Sequence, residues 1–173
     1  MTETIDASPL APPFGLDSDA FTAAFRQHTA SVAVITADCG NGPVGLTAIS
    51  VFSVSGEPAL LIFSLSELFS SAPTIASADS LVVHLLGVAQ LSIAELSATS
   101  GIDRFADTRL WARLDTGEPY FPSAAIWIRG RVVNRVTAGT STVITVHADW
   151  VARTSATPQS SVRVGSSASS VPP

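Results

Sequence analysis

The stretch GNGPVGLTAISVFSVSGEP, Gly40 to Pro58, decides how this chain is read. Gly40, Gly42 and Gly45 match GxGxxG, the turn that brings backbone amides and a helix N-terminus to a dinucleotide pyrophosphate. That turn works only where the third glycine opens a helix. Here Pro43 sits inside the motif, and small and β-branched residues follow Gly45. The segment therefore reads as a glycine-rich hairpin turn running into a strand that bends.

The flanking sequence extends the same reading. SVAVIT (31–36) is the first strand of that hairpin, and PALLIFSLS (58–66), apolar on both faces, is a third strand, central or barrel-forming. Ser70 and Ser71 offer a hydroxyl cap and Pro73 a first-turn proline for a short helix, PTIASA, with strand LVVHLL after it. VAQLSIAELSA (88–98) has helical periodicity, and 100–122 is loop anchored by Phe105 and Trp111. AAIWIRGRVVNRV alternates Ile126, Ile128 and Val132 against Trp127, Arg129 and Arg131, a half-exposed strand that TAGTS turns back into TVITVHADWV. Upstream, Asp17 or Ser18 caps a helix placing Phe21, Ala24, Phe25 and His28 on one face. The fold class is mainly β: an antiparallel barrel with a few peripheral helices.

With 173 residues, 46% of them hydrophobic, the chain can bury one core but is short for two ordinary domains. We expect a disordered arm over 1–16, one domain over 17–152 and a disordered Ser/Pro-rich tail over 153–173. The net charge of -5, with nine Lys+Arg, argues against nucleic acid. Only 13% charged residues suggests surface buried against another subunit. The first residues show no secretory pattern and the apolar runs are far short of a bilayer span, so the cytoplasm is expected, with no membrane association. His28, His84, His147 and Cys39 show no metal-ligand spacing, and no serine sits in GxSxG. Metal site and hydrolase triad are both set aside.

Five segments together carry a resemblance. FRQHTASVAVITA followed by GLTAISVFSVSGEP, then LLIFSLSELFSSAPTI, LVVHLLGVAQ and GIDRFAD resemble, in order and spacing, the motifs of the flavin reductase-like family, the FMN-binding split barrels. The resemblance covers about Asp19 to Val136. It implies a split β-barrel, usually homodimeric, similar to the NAD(P)H-dependent FMN reductases that supply reduced flavin to two-component monooxygenases; LDTGEP (114–119) is shared with one such reductase.

The resemblance also implies a site. Thr47, Ala48, Ile49 and Ser50 are expected to read the flavin edge through backbone groups, because that edge alternates acceptors and donors. Without the family, these are equally the small residues of a bent strand. Ser64, Leu65 and Ser66 are expected beside the ribityl chain. Ser70 and Ser71, at a helix start, are expected at the phosphate. His84 is expected near the site without a catalytic role, since a lone histidine in an apolar strand is more often a core residue. Arg104 and Phe105 match residues close to the flavin or nicotinamide pocket. No side chain need donate or accept a proton, so the set of catalytic residues is empty.

The implied cofactor is FMN, with FAD as the alternative, and NADH or NADPH as hydride donor. Two departures stand out. Glu67 occupies a loop where relatives often carry Lys or Arg, and Gly139, Thr140 and Ser141 replace a G-D-H motif whose histidine lies on the nicotinamide side. They keep open two further readings: a flavin-binding paralogue with weak or no reductase activity, and a ligand-free split barrel with an interaction role.

Overall fold

A computed structural model describes residues 32–48, 50–154 and 161–163. The N-terminal arm, the helix expected over 18–28, Ile49 and most of the tail lie outside the described residues. The elements are β1 (Ala33–Ala37), β2 (Val44–Ala48), β3 (Val51–Gly56), β4 (Ala59–Ser66), α1 (Ala72–Ser77), β5 (Ser80–Leu85), a 3-10 turn (Val88–Gln90), α2 (Leu91–Ala98), β6 (Ala112–Arg113), β7 (Pro119–Tyr120), β8 (Ile126–Ala138), β9 (Ser141–Arg153) and β10 (Ser161–Arg163).

The main sheet is antiparallel in the order β2-β1-β5-β8-β9-β4-β3, and β6 and β7 form a separate ribbon. Alternate residues of β1 (Ala33, Ile35, Ala37), β2 (Leu46, Ala48), β4 (Leu61, Phe63, Leu65), β5 (Leu81, Val83) and β9 (Ile144, Val146) meet in one buried cluster, closed below by Ala72 and Ile75 of α1. Strands from both ends of the sheet thus share one interior, which requires the sheet to curl. β2 and β3, its two edges, are consecutive in the chain. The step from Ala48 to Val51 spans at most about 11 Å, so the edges meet there without pairing. This is the split of a split barrel, and it falls inside the opening stretch.

That stretch is therefore two strands at opposite edges, where the sequence suggested one bent strand. β4 pairs with β3 on one side and β9 on the other, as its apolar composition predicts. The face of β8 carrying Trp127 is not solvent-exposed at its start: the β6–β7 region covers it, and Trp127 packs with Val82, Leu114 and Ala152. The tail also contributes to the sheet. β4 pairs with β9 only as far as His147, and Ser161–Arg163, expected to lack structure, pairs with Trp150–Ala152 beyond that point.

Gly130 sits at a register shift between β8 and β9. A Cβ there would lie 2.5 Å from Val146 Cγ1 and 2.6 Å from the His147 carbonyl oxygen, so only glycine fits. The Gly139–Thr140 turn closes the β8–β9 hairpin with Gly139 at φ +62, a left-handed conformation glycine adopts freely.

Candidate flavin site

Three segments far apart in sequence enclose a cleft of about 160 Å³: Pro43, Val44 and Gly45 where β2 begins, Ser70 and Ser71 before α1, and Ile102, Asp103, Arg104 and Phe105. Each is fixed by a specific contact. Gly45 packs against the Phe105 ring, near enough that a Cβ there would lie in van der Waals contact with Phe105 Cζ at 3.4 Å and Thr36 Cγ2 at 3.5 Å. Ser71 Oγ donates to the Gly45 carbonyl oxygen at 3.0 Å. Asp103 Oδ1 accepts the Phe105 amide at 2.9 Å, a local turn that aims the intervening Arg104. Phe105 is locked further by stacking on Phe121 and by an edge contact with Trp111, whose Nε1 donates to the Phe105 carbonyl.

Two expectations for the Ser loop change. The Ser71 hydroxyl makes no cap to α1 and is buried, because its hydrogen bond goes across to β2. The Ala72 amide is likewise taken, by the Phe69 carbonyl oxygen. Ser70 remains exposed at the cleft, so of the two serines only it is open to solvent there. Arg104 is in the opposite position. Its Nε is buried with no hydrogen-bond partner among the described residues, an unsatisfied cationic donor beside the cleft. That orphan donor fits an anionic group such as a flavin phosphate.

The other expected residues divide. Thr47 and Ala48 pair with Val34 and Ala33 of β1, and the Thr47 hydroxyl donates to the Ala94 carbonyl oxygen of α2 at 2.7 Å. Because β2 is an edge strand, the backbone groups pointing away from β1 are left unpaired by the sheet. Ser50 lies outside any strand, half-buried. Ser64, Leu65 and Ser66 end β4; Leu65 is in the main core, and the Ser66 hydroxyl accepts the Leu68 amide. None of the three lines the small cleft. Glu67 is exposed, and its amide donates to the Thr140 carbonyl oxygen at 3.1 Å, which puts the Gly139–Thr140 turn directly against this loop.

His84 belongs to the core. Its Nε2 accepts the Phe121 amide at 3.0 Å, which leaves Nδ1 to donate to the Val34 carbonyl oxygen at 2.9 Å. Burial lowers its pKa to about 4, so the ring is neutral. It touches the site only through Phe121, the ring on which Phe105 stacks.

Sequence reasoning missed a larger cavity. About 580 Å³, mostly apolar, lies at the other end of the barrel between β3 (Val51, Ser53, Ser55), the start of β4 (Leu60, Leu61), Leu85 to Gly87 and the start of β8 (Ile126, Ile128). Its size and lining suit a flat aromatic ring system, whereas the small cleft has room only for a group such as a phosphate. β2 borders the small cleft through Val44 and Gly45 and ends at Ala48 in the main core, about 10 Å further along the strand. The signal was the alternation of small residues in VFSVS, which a strand edge explains equally well.

The flavin reductase-like domain model matches residues 25–161, a span that includes every described wall of both cavities. The chain belongs to the flavin reductase-like family. It is 45% identical over 130 residues to an NADH:FMN oxidoreductase of Rhodococcus erythropolis, covering 75% of this chain and 68% of the relative. It is 34% identical over 124 residues, 71% of this chain and 54% of the relative, to the stachydrine N-demethylase reductase subunit of Rhizobium meliloti (strain 1021). Among solved structures, a flavin reductase domain protein from Arthrobacter sp. FB24 superposes with a TM-score of 0.76 at 28% identity, covering 90% of this chain and 97% of that one.

Proposed function

We infer that this protein is an NADH-dependent flavin reductase acting on FMN, which passes reduced flavin to a monooxygenase partner. The observation that carries the reading is the 45% identity to an NADH:FMN oxidoreductase, set on a barrel whose family match encloses both cavities. Bound FMN supplies the acceptor for the nicotinamide hydride. The chain's own part is geometric. The apolar cavity takes the ring, the free edge of β2 offers backbone groups to its polar margin, and Ser70 with Arg104 borders the cleft for the phosphate.

Identity to a demethylase reductase subunit supports a separate oxygenase as consumer of the product. Exposed Phe52 and Val54 on edge strand β3, with Val133 and Val136 on β8, support a homodimer buried along that side. The reading places the protein in the cytoplasm, where NADH is supplied; among the described residues no helix is long and apolar enough to cross a membrane.

The Gly139–Thr140 turn beside Glu67, without the family's histidine, favours one second reading: flavin binding without nicotinamide oxidation. Following NADH oxidation in air with and without added FMN separates the two. FMN-dependent oxidation proportional to protein supports the reductase. Tight FMN binding with no oxidation selects the second reading.

A further inference from the structure

We propose that His84 is a positioning residue for flavin binding: it ties the Phe121 backbone to the barrel, and the Phe121 ring in turn holds Phe105 at the wall of the small cleft. The proposal rests on the flavin reading above and adds to it a side chain that touches no ligand.

β5 lies between β1 and β8, and His84 stands opposite Val34 on one side and Trp127 on the other. An aliphatic side chain would fill this place in the core, so the imidazole has a polar reason to be there. The ring is fully buried and both nitrogens are engaged, Nδ1 with the Val34 carbonyl oxygen and Nε2 with the Phe121 amide. Such partners are what make a buried imidazole tolerable, and the two differ in what they hold. Val34 is already fixed in β1, between β2 and β5. Phe121 is placed otherwise: β7 ends one residue earlier at Tyr120, so the Phe121 amide goes to His84 rather than to the ribbon.

The Phe121 ring carries the tie onward. It meets the His84 ring edge-on at 5.5 Å between centroids and lies 5.7 Å from the Phe105 ring, 20° from parallel. Phe105 packs against Gly45 and forms part of the cleft wall. Phe121 also lines a second cavity, of about 450 Å³, with Ile93, Leu96 and Leu110. Packing therefore leaves Phe121 room to shift toward that cavity, and the bond to His84 supplies the restraint that packing does not. Without it the stack on Phe105 loosens, and the cleft wall loosens with it.

Dissociation constants for FMN are measured by flavin fluorescence quenching in the wild type, His84→Leu, His84→Gln, Phe121→Leu and the double variant His84→Leu/Phe121→Leu, with thermal melts to confirm folding. His84→Leu and Phe121→Leu are each expected to weaken FMN about tenfold. The double variant should lose little more than either, instead of the roughly hundredfold of independent effects, because both act through one ring pair. His84→Gln, whose amide oxygen reaches the Phe121 amide, should recover most of the affinity even where its melting temperature stays below that of the wild type. A histidine that only stabilises the core gives another pattern, with losses that multiply in the double variant and a Gln variant as weak as the Leu one, and that pattern overturns the proposal. Should His84→Leu fail to fold, Phe121→Leu and His84→Gln still decide: FMN affinity unchanged in the first, or lost in the second, overturns it. These outcomes leave the flavin reading intact, whereas a wild type that binds no FMN overturns both.

Discussion

The Ser71 hydroxyl donates to the Gly45 carbonyl oxygen at 3.0 Å, bridging 26 positions of sequence and fastening the loop before α1 to the first residues of β2. Ser71 is buried, so Ser71→Ala leaves that carbonyl without its partner, away from water. A loss of about 1–3 kcal/mol in unfolding free energy is expected by urea denaturation, together with weaker FMN binding as the cleft loosens.

Gly130→Ala addresses the barrel frame. The added methyl would collide with Val146 and with the His147 backbone, and the second cannot move without breaking the β8–β9 ladder. Thermal denaturation should show destabilisation of about 1–3 kcal/mol or more. An unchanged melt would mean that the register shift is not rigid.

Arg129 holds a buried charge network. It pairs with Glu118, only 4% exposed, and with Asp149. Burial raises the Glu118 pKa, but hydrogen bonds from Ser80, Thr116 and Arg129 outweigh it and keep the carboxyl below its ordinary range. Removing Arg129 by Arg129→Met strands that carboxylate, and a cost of about 3–5 kcal/mol is expected at neutral pH. Because the folded pKa of Glu118 is depressed, its contribution is present above the ordinary carboxylate range and fades as the pH falls through the folded value. The deficit of the variant should therefore shrink in acid.

His84 gives a separate pH window. Its folded pKa is about 4 against 6.5 for the unfolded chain, so above pH 6.5 both states are neutral and the residue adds no pH dependence. Between those values the unfolded chain takes a proton that the folded one refuses, and stability falls as pH falls. Urea titrations should show a loss of about 2 kcal/mol between pH 7 and roughly pH 5, absent in His84→Gln.

Glu67→Lys reverses the sign of a charge near the Ser loop. Being exposed, it acts weakly through solvent, so FMN affinity should rise only a few-fold, and the gain should vanish in about 1 M salt. A gain that persists in salt would indicate direct contact instead.

Much of the barrel was legible because β1, β4 and β5 are short apolar runs whose composition marks them as buried strands, and Gly-rich turns mark where strands reverse. The separation of β2 from β3 was not, since both have the same small, β-branched character and only long-range pairing assigns them to opposite edges. Among the candidate site residues, Ser70, Ser71, Arg104 and Phe105 do meet at one cleft. The use of Ser71 as a tie to β2, rather than as a free donor, depends on a contact that no local pattern encodes. His84 was expected near the site without a catalytic role, as a lone histidine in an apolar strand is more often a core residue, and the Val34 and Phe121 backbone partners that place it in the core come from distant segments.

The central claim is that this barrel holds FMN where NADH can reduce it. Mixing the protein, FMN and NADH without oxygen, and recording the nicotinamide and flavin absorbance bands together, tests it directly. Loss of NADH and of oxidised flavin in equal amounts, at a rate set by protein concentration, is the predicted result; flavin that stays oxidised at every protein concentration contradicts it.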